Sequence, residues 1–452
     1  MSRSEVDRRL VAAVQAGDGE AVRASLDEGA DPNALGDDAL PVLCTAVAAF
    51  GSVVADVLVE GGADPDRALP DGTTPLWRAV DGGSPAVFTA VLGNEPRLRL
   101  PEETRERLLA LARSWYETGT VEELRRRTGA SGPARTVRLP DAPDDIEWIG
   151  QVSLGGLVAR TGHGGILTAL ERAFGIPTPV DELITRALDQ PDGQHANWWQ
   201  VLLVLLDRPS LETWEAVVAH RHHPDRAHRR FVAEYLRTRG VLVYNSPYAE
   251  QEGGFLASWA AEETDVEMLV KVLEAFAEYE HPGLEDAGLR HAGHPGARVR
   301  RQVPGLFWTS EGTSLTPPAR AALLALTRDP DARVRLLAGK TAVRDDALLT
   351  PAVQTLLALA DGPDAGLRGE AAALLASCPD HSPVVADALF ALLDEDDPLT
   401  CLEAAYGLAL RDDPRTAEAY RLIRDRDIGD TDDHRWCKLW DWQYDKERSA
   451  AE

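Results

Sequence analysis

Four histidines lie within nine positions of this chain, at His220, His222, His223 and His228, and imidazole is the commonest side-chain ligand for metals such as zinc. Pro224 divides them between the end of one helix and the start of the next, and no carboxylate or Cys pair stands beside them at ligand spacing. They are read as solvated loop residues, and no metal is expected. The run His163-Gly164-Gly165 could bring backbone amides to a phosphate. A lone diglycine turn lacks the rest of a Walker loop or a Gly-x-Gly-x-x-Gly fingerprint, and no Gly-x-Ser-x-Gly elbow occurs. Cys44, Cys378, Cys401 and Cys437 lie far apart with no Cys-x-x-Cys spacing, as small core residues of a reducing compartment do. These patterns supply no catalytic residue and no cofactor, so the chain is read as non-enzymatic.

Two further groups suit binding. Arg229, Arg300, Arg335 and Arg368 each follow a proline by five residues. They are read as joining neighbouring structural units, by bonding acidic groups or helix ends; the alternative is an Arg row facing a ligand. Near the end stand Trp436, Trp440, Trp442 and Tyr444. Trp436 and Trp440 share a helical face, which suits a cover over an open apolar end, with an exposed aromatic ligand cage as the alternative.

What positions such residues is a repeat. The string Gly29-Ala30-Asp31-Pro32-Asn33 returns 33 residues later as Gly62-Ala63-Asp64-Pro65-Asp66, and a fixed period of that size marks stacked supersecondary units. An apolar helical stretch precedes each string, one through Leu10, Val14, Val22 and Leu26, the other through Val42, Val47, Val54 and Leu58. A third unit opens with Asp71-Gly72-Thr73-Thr74-Pro75-Leu76-Trp77-Arg78-Ala79. Thr74 can cap a helix whose first turn holds Pro75, which puts Leu76 and Ala79 on one face. Gly29 and Gly62 fall where a helix ends and a left-handed residue is needed. This pattern resembles the ankyrin-repeat family over about residues 5–128, departing from Thr-Pro-Leu-His only at Trp77. The resemblance implies partner contacts from turn tips and inner helices, namely Leu35, Asp37, Leu69, Asp71, Trp77 and Arg78.

The third unit loses the pattern at Gly93-Asn94-Glu95-Pro96. Helices over 102–113 and 121–127 follow and are read as a cap on the last repeat, closing a domain over 1–128. Residues 129–146, with Gly129, Gly132, Pro133, Pro140, Pro143 and Asp145, are read as a linker. Beyond it, Trp148, Ile149, Val152, Leu154 and Leu157 are interrupted by Gly150, Gly155, Gly156 and Gly162, which fits either a short hairpin or the start of a helix. Residues 147–219 are otherwise expected to form a helical connecting region.

A second family of units fills residues 220–452. Pro224, Pro295, Pro330, Pro363 and Pro398 follow one another at steps of 71, 35, 33 and 35 residues, with Glu263-Thr264-Asp265 marking a divergent unit inside the long step. Asp329 is expected to cap a helix with Pro330 in its first turn. The pattern resembles the HEAT-repeat family over about residues 220–425, with Glu403 standing where the family has Arg and armadillo-like packing as a close alternative. The Trp-rich end is read as its cap.

The 452 residues, 44% hydrophobic and 27% charged, form a folded chain too long for one core. A formal charge of −27 repels phosphates, so nucleic acid and anionic membrane are not expected as partners, and a basic protein is. Residues 220–239 are the local exception, with six Arg and four His against Asp225 and Glu234. The run from Val201 to Leu206 is far short of a membrane span. MSRSEVDRRL has no apolar h-region, so a cytoplasmic location is expected. The sequence thus predicts an all-α, tandem-repeat α-solenoid that serves as a protein–protein interaction scaffold. Two readings from other classes compete. One is a HEAT-based nucleic-acid-processing enzyme of the glycosylase kind, which needs a basic concave groove. The other is an inhibitor or immunity-type protein for a basic enzyme.

Overall fold

The computed structural model describes residues 3–143, 146–190, 192–243, 246–307, 315–426 and 433–451. These residues are mostly helical and carry one small three-stranded sheet, which the all-α expectation missed. The chain divides into two compact units, Met1–Tyr235 and Leu236–Glu452. The division falls within the helix Arg226–Leu242, later than the 219/220 boundary expected from the repeats.

The first unit opens with three helix pairs: Arg3–Ala16 with Gly19–Asp27, Val42–Ala48 with Ser52–Glu60, and Pro75–Gly82 with Pro85–Leu92. First helices pack on first helices and second on second, through small and branched residues such as Ala46, Val47, Val54 and Leu58 that recur at helical spacing and are buried. The starts are fixed locally. Asp18 accepts the Ala21 amide at 2.9 Å and Thr74 the Trp77 amide at 3.0 Å, with Pro75 in the first turn. Helices Glu102–Thr118 and Thr120–Thr128 follow, the first packing on Pro75–Gly82.

The expected linker is instead part of a sheet. Strands β1 (Arg135–Pro140), β2 (Trp148–Leu154) and β3 (Leu157–Arg160) form an antiparallel meander, with Arg135 opposite Ser153 and Pro140 opposite Trp148. Asp145 lies outside the described residues. The reason lies in tertiary burial: Val152, Leu154 and Ala159 pack with Trp115 and Leu124, while β1 itself is largely exposed and follows by pairing. Gly155 and Gly156, with φ of +58° and +86°, make the two-residue β2–β3 turn, whose left-handed backbone resists residues bearing a Cβ. A buried knot docks the sheet on the third pair. Ser84 Oγ donates to Asp141 Oδ1 at 2.6 Å, the Ala86 amide to Asp141 Oδ2 at 2.7 Å, and Arg160 Nη1 to the Asp141 carbonyl at 2.9 Å. Burial pushes the Asp141 carboxyl above its ordinary range despite these donors. Helices His163–Ala173, Val180–Leu188, Ala196–Leu206 and Leu211–Val218 complete the unit before Arg226–Leu242.

The second unit runs through further helix pairs, among them Pro317–Leu326 with Ala332–Ala342, Leu349–Ala360 with Ala365–Ser377, and Pro383–Ala391 with Pro398–Leu410. Asp265 caps the divergent unit's helix, Val266–Phe276. Asp397 caps with Pro398 in the first turn, as an Asp-Pro step should. At Asp329-Pro330 the expected cap is corrected: Asp331 accepts the Val334 amide at 3.0 Å and starts the helix two residues later. Asp329 is thereby left free to act across the junction.

Candidate functional site

The six residues singled out by the first repeat lie on two successive turns and the helix after the second. Leu35 is 50% exposed although its backbone bridges to Pro41, and exposed Asp37 accepts a 3.4 Å bond from Gln15 Nε2. Leu69 corrects the expectation. It is 6% exposed, its amide donating to the Thr73 carbonyl and its carbonyl accepting the Gly72 amide, both at 2.9 Å, so it holds the turn from below and leaves the contact set. Asp71 is exposed and accepts the Thr73 hydroxyl at 2.6 Å, the Thr73 amide at 3.0 Å and Arg78 Nη2 at 2.9 Å. The Thr73 bonds first, with Arg78 behind them and slight desolvation opposing, hold its pKa at about 2. Trp77 is half-buried beside Arg107, whose guanidinium carbon lies 5.4 Å from the ring centre. Adjacent turns are tied together: Asn33 Nδ2 donates to the Gly62 carbonyl at 3.2 Å, and the Asp64 amide to Asn33 Oδ1 at 2.8 Å.

Behind these tips opens a cleft of about 370 Å³, between Val47 and Phe50, the helix residues Arg78 and Asp81, and Leu157 and Val158 of the hairpin. Trp115 lies at its base, with Nε1 donating to Asp81 Oδ1 at 2.8 Å, while Arg127 Nη1 reaches Asp81 Oδ2 at 2.8 Å. His163 stacks on Trp115 with ring centres 4.5 Å apart, and burial lowers its pKa to about 4, so it stays neutral. The Gly165 amide donates to Asn197 Oδ1 at 3.0 Å, so this diglycine start is packed inside the unit and offers no phosphate cradle.

Glu123, buried beside the cleft, accepts Arg126 at 2.6 and 2.7 Å and Arg127 at 2.8 Å. The Arg126 bonds first, then those of Arg127, overcome desolvation and hold its carboxyl at about 2. A lowered carboxyl stabilises the fold above its unfolded pKa and ceases to as pH falls through the folded one. The first unit should therefore lose stability between about pH 4.5 and pH 2. Glu123→Gln should flatten that limb in thermal melts taken across the range.

The histidine cluster is packed, not solvated as expected. His223 and His228 stack at 3.6 Å between ring centres, His220 lies 5.4 Å from His228, and His220 Nε2 is 3.0 Å from Asp181 Oδ1; only His222 is exposed. His228 stacks on both His220 and His223, and among the described residues no group of three or more His, Cys, Asp or Glu side chains could hold a metal ion. Desolvation, then the neighbouring His223 and His220, lower the His228 pKa.

The arginine row closes turns and joins units. Each member donates to carbonyls five or six residues behind it: Arg229 to His223 at 2.9 Å, Arg300 to His294 at 2.8 Å, Arg335 to Asp329 at 2.7 Å and Arg368 to Gly362 at 3.0 Å. Arg300 also grips Asp329 of the next unit with two bonds of 2.7 and 2.8 Å, and Arg368 grips Glu395 at 2.9 and 2.6 Å. Arg335 differs from its expected role, making among the described residues only the carbonyl bonds. Glu403, the odd member, receives Arg435 Nη1 at 2.6 Å, a pair of opposite polarity. Arg300→Ala should cost about 2–3 kcal/mol and open the junction at 294–331 to hydrogen exchange, against about 1 kcal/mol and only a local effect for Arg335→Ala.

A groove of about 690 Å³ in the second unit is lined by Arg237, Arg301, Arg333 and Lys340 with Glu274 and Glu278. Arg301 is gripped by Asp331 at 3.1 and 2.7 Å and Arg333 pairs with Glu370, so much of its positive charge is neutralised within the chain. At the far end Trp436 stacks on Tyr420 at 5.5 Å and Trp442 Nε1 donates to Asp412 at 2.7 Å, while Trp440 and Tyr444 stack on each other in the open.

Neither a family model nor a curated protein sequence matches the chain. Among solved structures, the Escherichia coli protein YibA aligns at 17% identity with a TM-score of 0.42, over 59% of this chain and 92% of its own. An engineered protein aligns at 15% identity with a TM-score of 0.36, over 97% of this chain and 98% of its own.

Of the cleft, sequence reasoning named Arg78 but missed the other half, Phe50, Leu157 and Val158. The signal was present in Leu154-Gly155-Gly156-Leu157, a two-residue turn between apolar strands.

Proposed function

We propose that the chain is a tandem-repeat helical scaffold, ankyrin-like at its start and HEAT-like in its second half, that binds a basic protein through the turn tips of its first unit. The observation that carries this reading is the set of exposed carboxylates Asp37, Asp64 and Asp71 on neighbouring turns, with Leu35 exposed among them. The Asn33 bonds order two of these turns before any partner arrives, so little entropy is lost on docking. Their charge adds to the −27 of the chain, which speeds encounter with a basic surface. Leu35, Asp37 and Asp71 make the contacts; Arg78 orients Asp71, and Trp77 supports the helix behind it. An inhibitor of a basic enzyme is a special case of the same surface. No helix of the described residues is long and apolar enough to cross a membrane, and we place the protein in the cytoplasm.

The test is affinity capture with the natural chain and with Asp37→Lys/Asp71→Asn, which keeps the turn acceptor at position 71. The natural chain should retain basic protein that salt releases, and the variant should lose most of it. Equal, salt-insensitive capture by both would overturn the reading.

A further inference from the structure

We propose that the cleft behind the tips is an anchor pocket, taking one large apolar side chain of a partner segment whose flanking residues are basic. The basic flanks rest on the tip reading above; the pocket and its apolar occupant go beyond it. The polar groups of the cleft are already committed. Both Asp81 oxygens are taken by Trp115 and Arg127, and Arg78 is bound to Asp71 and Thr73. What remains for an incoming group is apolar: Val47, Phe50, Leu124 and Ala159, with Leu157 and Val158 above them.

Those two hairpin residues are each 44% exposed, and an exposed apolar pair beside an apolar recess marks a contact site more often than scattered single residues do. They sit on a tight glycine turn whose strand is held by burial of Val152 and Leu154, so the wall is preformed and closing on it costs little ordering. The volume, about 370 Å³, is at the lower end of the range of roughly 300–1,000 Å³ for ligand pockets, which suits a side chain better than a cofactor. Charge complementarity chooses the flanks. Arg78 lines the cleft and its Nη2 donates to Asp71 Oδ2 at 2.9 Å, which places a tip carboxylate at the edge of the pocket. A lysine or arginine beside the anchor would meet it.

The full chain is panned with a random peptide phage library, and the best peptide is then measured by fluorescence polarisation. Enriched peptides should carry Leu, Ile, Met, Phe or Trp next to Lys or Arg. Affinity should fall about tenfold or more for Leu157→Asp/Val158→Asp and for Ala48→Trp, which fills the cleft from an exposed helix position. Both changes are at exposed sites, and circular dichroism checks that the variants fold. If the peptide binds these variants normally but loses Asp37→Lys/Asp71→Asn, the pocket is refuted and the tip reading stands. Binding indifferent to every variant refutes both, and no enriched peptide refutes the pocket.

Discussion

Replacing Gly83 by alanine is expected to destabilise the first unit by about 3–4 kcal/mol, left-handed strain and overpacking acting together. Gly83 ends the helix Pro75–Gly82 with φ of +78°. Its carbonyl accepts the Gly162 amide at 2.9 Å, so the sheet closes on it. A Cβ there would stand 2.2 Å from the Arg160 carbonyl and 2.4 Å from His163 Cε1, and the Arg160 backbone, held in β3 opposite Gln151, has little room to retreat. Gly72 is the control. It has the same φ of +78° but nothing within 4 Å of its would-be Cβ, so Gly72→Ala should cost only the backbone strain, about 1 kcal/mol. Denaturant unfolding followed at Trp115 would separate the two. Equal effects would mean that the docking of sheet on helix is looser than these distances state.

Arg186→Met is expected to cost about 3–5 kcal/mol, because it leaves a buried carboxylate short of its counter-charge. Arg186 is 1% exposed and donates to Glu171 at 2.6 and 3.1 Å, and Thr178 Oγ1 donates to Glu171 at 2.6 Å. Burial pushes the Glu171 carboxyl up, but the Arg186 and Thr178 bonds together pull it below its usual range. Without Arg186 the carboxyl keeps only Thr178 and the half-exposed Arg113, 3.2 Å away, and the burial cost is predicted to lift its folded pKa above the unfolded one. Stability so linked is present at low pH and lost as pH rises through the folded value, so the variant should recover part of its stability on mild acidification. Arg186→Met/Glu171→Gln should recover much of the loss at neutral pH, since a buried pair is replaced more cheaply than it is broken.

The helix pairs of the first unit were legible because their signals are local: Thr74 and Pro75 start a helix wherever they stand, and an apolar period of 3.6 points one face inward. β1 was not legible, since its own residues are largely exposed and its conformation comes from pairing with β2, whose residues lie between 8 (Pro140 to Trp148) and 18 (Arg135 to Ser153) positions on. The same distinction explains Leu69. It belongs to a turn by sequence, but the register of the Leu69–Thr73 bond points it into the core. Arg300 and Arg368 were legible as joints because the period fixed their place, whereas the reversed polarity at Glu403 required the position of Arg435, some thirty residues on. At the proposed binding surface the acidic tips could be read from the sequence; the cleft could not, because the hairpin turn is legible locally but its placement opposite Phe50 and Arg78 is set by tertiary packing.

The most direct test of the account is a hydrogen-exchange footprint of the chain with and without its captured basic partner. Protection is predicted over 33–38, 64–78 and 156–159, with the groove lined by Arg237, Arg301 and Lys340 exchanging as before. Protection of that groove with the tips unchanged would contradict it.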